Sequence, residues 1–169
     1  DAEVMQYEKN IMATEVACMR LVRPNPAIPV PAIYCYDDAH DLCDSDYYFM
    51  EKLAGDNLEH VKAGLPPATQ TAIDLQIGAI VREINGFTGS YFGYDGNEAL
   101  RASTWQAAFL QIMDALLADG AAKQVTYDFS YDELRAAVHK HAAALAEVTT
   151  PCLVHWDAWN LNFFVQPGS

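Results

Sequence analysis

Cations are scarce in this sequence: ten Lys and Arg stand against 23 Asp and Glu, for a formal net charge of -13 over 169 residues. A nucleic-acid backbone recruits clustered Lys and Arg to displace its counterions, so the charge argues against such a partner. Long apolar runs are missing as well. No stretch reaches the roughly 18 apolar residues of a membrane helix, and the leading DAEVMQYEKN is too charged for a signal-peptide core. Neither membrane insertion nor secretion is therefore indicated, and the cytoplasm is the expected location. The four cysteines, Cys18, Cys35, Cys43 and Cys152, show no C-x-x-C spacing. That excludes an obvious disulfide frame or zinc site and suggests reduced thiols used in packing. There is no serine or cysteine nucleophile motif, no internal repeat and no low-complexity linker. Gly86, Gly89, Gly93 and Gly96 do not make a phosphate loop, because no strand leads into them. His139 and His141 lie about 200° apart around a helix, a poor chelate.

What is present is a core. Apolar residues make up 51% of the chain and aromatics 11%, enough for one domain or two small lobes. Met5, Ile11, Met12, Val16, Met19 and Leu21-Val22 recur at helical spacing over residues 3–23, and Pro24 and Pro26 end the pattern. PVPAIYCYDD and DYYFMEKL read as two strands joined by an exposed acidic loop, the second broken by Gly55-Asp56-Asn57. Amphipathic patterns then predict helices over 67–86 and 103–118. A third starts at Ser130, with Glu133 closing a capping box, and runs through Leu134, Val138 and Leu145 to about Val148. The order predicts an α+β fold in two parts: a strand-bearing lobe over 1–53 and a helical lobe over 54–169, joined near Glu51 to Gly55.

The run CLVHWDAWNLNFFV, residues 152–165, raises the functional question. It reads as a buried β-hairpin, yet it holds a histidine, an aspartate and two asparagines where desolvating a carboxylate is expensive unless the group is used or paired. His155-x-Asp157 followed by Asn162 has the H-x-D-x-x-x-x-N spacing of a kinase catalytic loop. There a carboxylate receives the acceptor hydroxyl while an amide oxygen five residues on ligates Mg²⁺.

The same run resembles the catalytic loop of the aminoglycoside phosphotransferase and choline kinase group of kinase-like enzymes, where LVHGDLHPGNILV is a usual form. Trp156 stands where that group often has Gly, and Ala158-Trp159-Asn160 replaces the Leu-His-Pro-like segment. TEVACMRLV followed by IPVPAIYCYDD is similar to that family's αC helix and the strand after it. YYFMEKLAGDNL is similar to its hinge and inter-lobe linker. AIVREINGFTGSYFG is similar to a helix ending in a Leu-His dipeptide, here Ile84-Asn85, before a Phe-Gly loop. The resemblance spans residues 10–165 and implies a two-lobe kinase-like fold and ATP-dependent transfer of phosphate to a small-molecule hydroxyl. It assigns Asp157 as the catalytic carboxylate, His155 as a hydrogen-bonding brace of the loop, and Asn162 as the magnesium ligand. Glu15 becomes the αC glutamate that pairs with a strand-borne lysine. Met50 lies behind the adenine, the Glu51 carbonyl and Leu53 amide read its edge, and Phe164 floors the pocket. Met50 and Phe164 are expected to pack in the core whether or not they touch a ligand.

Three family parts are not found: the glycine-rich phosphate loop, the lysine partner of Glu15 and a second metal-binding aspartate after Asn162. Lys9 is too close to Glu15 on the same helix, and FFVQPGS has no carboxylate. The expectation is therefore a middle segment of a phosphotransferase, inactive by itself. The alternative is a non-catalytic kinase-like fragment that binds a partner or self-associates through exposed edges. The acidic composition, including Asp114, Asp119, Asp128, Asp132, Glu133 and Glu147, suggests a cationic or neutral acceptor.

Overall fold

A computed structural model describes residues 4–166. The chain is α+β and divides into two compact units, one made of the residues up to Glu15 with Thr88–Cys152, the other of Val16–Phe87 with the residues from Leu153 on. Both units draw on residues either side of position 53.

The second unit is built on a small apolar core of Val22, Ile28 and Ile84, against which Val30, Ile80, Phe87 and Leu153 pack. Helix α1 (Ile11–Val22) delivers Val22. Its last turn closes with the Arg23 amide on the Met19 carbonyl, 3.1 Å, and Pro24 has no amide to continue. The Asn25 side chain accepts from Ala27 N at 3.0 Å, a turn that swings Ile28 into the core. Strands β1 (Ile33–Asp37) and β2 (Tyr47–Met50) pair antiparallel, Asp37 opposite Tyr47, with an irregularity between Ile33 and Cys35. The acidic loop between them is exposed. Beyond β2, Gly55 takes φ +103°, and Asp56–Asn57 form a short strand β3 that leads into helix α2 (Leu58–Val61). Leu58 is wholly buried. Helix α3 (Pro67–Ile84) begins with Pro at its first position, where the missing amide is harmless, and supplies Ile80 and Ile84 to the core.

In the other unit β4 (Phe92–Gly93) pairs with β5 (Arg101–Ala102). Helix α4 (Trp105–Ala122) is capped by the Thr104 hydroxyl and carries Trp105, which packs tilted on Phe92 of β4 and edge-on to Phe109 of its own helix. Helix α5 (Tyr131–Lys140) opens on the expected box, Ser130 N to Glu133 Oε2 at 2.8 Å and Glu133 N to Ser130 Oγ at 3.2 Å.

Several expectations are corrected here. The helix expected over 3–23 starts only at Ile11, because Asn10 adopts φ +53° and donates its side chain to the Gly96 carbonyl. Gln6–Glu8 form a separate 3₁₀ turn, and residue 3 lies outside the described residues. The third helix ends at Lys140, where His141 leaves helical geometry, and Ala142–Glu147 continue as 3₁₀. The cysteines are free, but only Cys18 is half-buried; Cys35, Cys43 and Cys152 are exposed and so do not pack a core. No helix among the described residues is long and apolar enough to cross a membrane.

Candidate active site

The stretch 152–165 is not a hairpin. Cys152 bridges to Thr88, and the strand at the far end, β6 (Phe164–Val165), pairs with β3 instead of with Leu153-Val154. The reason lies in the backbone between them, which is spent on tight local turns. Asp157 N donates to the His155 carbonyl at 2.8 Å and Trp159 N to the Asp157 carbonyl at 3.0 Å. Asn160–Asn162 then form a 3₁₀ turn, with Asn162 N on the Trp159 carbonyl at 3.0 Å. Amides used this way are withdrawn from a ladder.

Within these turns the two signature residues meet. Asn162 Nδ2 donates to Asp157 Oδ2 at 2.7 Å and to the Asp157 carbonyl at 2.8 Å. Both residues are exposed, so the carboxylate keeps its hydration and the expected burial penalty does not arise. Val154, Trp156, Trp159 and Phe164 are also about half exposed or more. The His155 ring stacks on Phe163, centroids 5.9 Å apart at 29°, and its side chain makes no hydrogen bond among the described residues. Trp156 sits at φ +66°, a left-handed conformation that glycine tolerates and a bulky residue resists. This explains why glycine is usual at that position in the group the loop resembles.

The loop is tied to the segment β3–α2. Leu58 N donates to the Phe163 carbonyl at 2.9 Å, Asn57 Nδ2 to the Leu161 carbonyl at 2.6 Å, and Asn160 Nδ2 to Glu59 Oε2 at 3.0 Å. A Cβ on Gly55 would fall on the Val165 carbonyl oxygen, so only glycine lets β3 approach β6 this closely. Sequence reasoning missed Asn57 and Glu59. The available signal was an Asn one residue before a helix start, the preferred N-cap, which here accepts from Glu59 N at 3.1 Å.

Met50 and Phe164, expected in the core, are 48% and 47% exposed, because Met50 ends an isolated two-stranded sheet and Phe164 lies on a two-residue strand. Glu51 N donates to the Ala32 carbonyl at 2.8 Å and its carboxylate accepts from Ala32 N at 3.1 Å. The Glu51 carbonyl and the Leu53 amide carry no hydrogen bond among the described residues. Glu15 is exposed, belongs to the other unit and makes no ion pair among the described residues. A groove of about 450 Å³ lined by Met19, Arg20, Arg23, Pro24 and Ile33 includes none of the expected site residues.

Chemically, the loop presents an exposed carboxylate whose orientation is fixed by a neighbouring amide. Asp157 Oδ1 and Asn162 Oδ1 have no partner among the described residues, so two hard oxygens are left open, a donor set suited to Mg²⁺. No group of three or more His, Cys, Asp or Glu that could hold a metal occurs among the described residues, so a full ligand set is not present there.

A family model of the phosphotransferase enzyme family matches residues 6–169. Comparison with curated proteins and with solved structures gives no match. The match takes in the whole Asp157–Asn162 loop and the segments that hold it, and the chain belongs to the phosphotransferase enzyme family.

Proposed function

We propose that this chain carries the catalytic loop of an ATP-dependent kinase that phosphorylates a hydroxyl of a small molecule in the cytoplasm. The observation that carries the reading is the 2.7 Å bond from Asn162 Nδ2 to Asp157 Oδ2 in an exposed loop. It holds the carboxylate facing solvent, where an acceptor hydroxyl could reach it. In this reading Asp157 orients the hydroxyl and takes its proton as the new oxygen–phosphorus bond forms and the bond to the ADP leaving group breaks. Bound Mg²⁺ would neutralise charge on the phosphates, with Asn162 Oδ1 among its ligands. Met50, the free Glu51 carbonyl and Leu53 amide, and Phe164 would hold adenine; Glu15 would position the phosphate-binding lysine. The division into a smaller lobe over 1–53 and a helical lobe over 54–169 belongs to the same proposal.

The acceptor is cationic or neutral. Of the six carboxylates that suggested this, four are engaged locally: Asp114 with Arg135 and His139, Asp132 with Arg135, Asp119 with Gln6, and Glu133 with Ser130. Support therefore comes from the net charge of -13 more than from those residues. The test is a panel of aminoglycoside, macrolide, choline-like and sugar acceptors offered to the full-length protein with Mg-ATP. Transfer to cationic or neutral hydroxyls is expected; transfer to sugar acids alone would overturn the acceptor class, and transfer to none would overturn the function.

A further inference from the structure

Asn57 uses both ends of its amide. Its Oδ1 accepts from Glu59 N at 3.1 Å and caps α2, while its Nδ2 donates to the Leu161 carbonyl at 2.6 Å, in the middle of the 3₁₀ turn that ends at Asn162. On either side of that bond the same segment grips the loop again, through Leu58 N on the Phe163 carbonyl and Glu59 on Asn160. Leu58, between them, is wholly buried, so the gripping segment is itself anchored. Gly55 and the β3–β6 pairing of Asp56 with Val165 and Asn57 with Phe164 set the distance.

We propose that Asn57 is a positioning residue of the reaction: its side-chain amide fixes the Leu161 carbonyl, and through the 3₁₀ turn fixes where Asn162 holds Asp157. This rests on the function proposed above, but the geometry is independent of it. Val154, Trp156 and Trp159 of the loop are half exposed or more, so its tight turns and its ties to β3–α2 carry much of its order. Positional error of about 1 Å at a reacting group lowers a rate by roughly a hundredfold, so such a tether would act on the chemical step and not on nucleotide affinity.

The two functions of Asn57 separate by substitution. Asn57→Ser keeps an oxygen that caps α2 but is too short to reach Leu161; Asn57→Asp caps equally well and places an acceptor against the Leu161 carbonyl; Asn57→Ala loses both bonds. The measurements are amide hydrogen exchange at Asn162 and Phe163, melting temperature, and kcat and KM for ATP in the full-length protein. The Ser and Asp variants should melt near the wild-type temperature, exchange those two amides about tenfold faster or more, and lose roughly tenfold or more in kcat with KM for ATP within about twofold. Wild-type exchange and kcat in Asn57→Ser and Asn57→Asp would overturn the proposal. So would losses of kcat and stability that match Asn57→Ala, since they would show a cap and nothing more. If Asp157→Asn also turns over like wild type, it is the phosphotransfer reading that fails, while the exchange data still report whether Asn57 holds the loop.

Discussion

Asn162 grips Asp157 twice, by Nδ2 to the carboxylate at 2.7 Å and to the backbone carbonyl at 2.8 Å, across five positions of sequence. The spacing of the motif is thus the span of one 3₁₀-bounded loop, and the two residues form a single unit. Replacing Asn162 by Ala frees the carboxylate and removes an open amide oxygen. The rate of transfer should fall roughly a hundredfold and the Mg²⁺ concentration for half-maximal rate should rise, as read from initial rates across a magnesium titration. An Asn162→Ala protein with the wild-type magnesium profile would contradict the assignment of that oxygen.

Trp156 pays for its place with backbone strain, since φ +66° brings Cβ against the following carbonyl. Its side chain is 68% exposed, so little burial is lost on truncation. Trp156→Ala loses the indole's own contact but keeps the strain, and measured against it Trp156→Gly should be more stable by roughly 0.5–1 kcal/mol, or about 1–4 °C in Tm, since the strain relieved exceeds the unfolded-state entropy added. A Trp156→Gly protein that melts no higher than Trp156→Ala would show that φ at this position is not strained.

Gly55 is the hinge on which the brace turns. Gly55→Ala combines a left-handed φ of +103° with a Cβ placed on the Val165 carbonyl, and should destabilise by about 1–3 kcal/mol or more. Gly64→Ala, where an added Cβ meets nothing within 4 Å, is the control. Calorimetry of the two should separate them clearly; equal melting temperatures would mean that β3 and β6 do not pair as described.

The β1–β2 loop should respond to pH. His40 Nε2 lies 2.7 Å from Asp46 Oδ1, and Tyr36 donates to the other Asp46 oxygen at 2.9 Å. The Asp46 bond, with Asp38 and Asp44 nearby, lifts the His40 pKa; the His40 and Tyr36 bonds hold Asp46 below its usual value. The His40 contribution is fully present below its unfolded pKa of about 6.5 and is lost as pH rises through the raised folded value. The Asp46 contribution is present above its unfolded pKa of about 3.9 and is lost as pH falls through the lowered one. A proton NMR titration of His40 should give a midpoint above the usual histidine value that drops in Asp46→Asn. An unmoved midpoint would mean the contact does not form in solution.

The parts of this structure legible in the sequence are those decided locally. Apolar spacing placed α3 and α4 to within a few residues, Pro24 stopped α1, and Ser130 with Glu133 marked the start of α5. That Asp157 and Asn162 share one loop was legible because they stand only five positions apart, the span their hydrogen bonds close. What was not legible depends on distant partners. Asn10 breaks its helix for the Gly96 carbonyl, 86 residues away, and the two-residue strands β4, β5 and β6 have too few positions to show any alternation. The pairing of β6 with β3 in place of a hairpin is permitted by Gly55, whose role appears only when Val165 is beside it.

The central claim, that Asp157 performs phosphoryl transfer, is tested most directly by comparing wild type with Asp157→Asn in the full-length protein. The measurement is steady-state transfer of the ATP γ-phosphate to a hydroxyl acceptor, with nucleotide affinity determined in parallel. The substitution keeps the side chain's shape and removes its charge, so kcat should fall by a factor of about a hundred or more while ATP affinity stays within about twofold. Wild-type turnover in the Asp157→Asn protein would contradict the account.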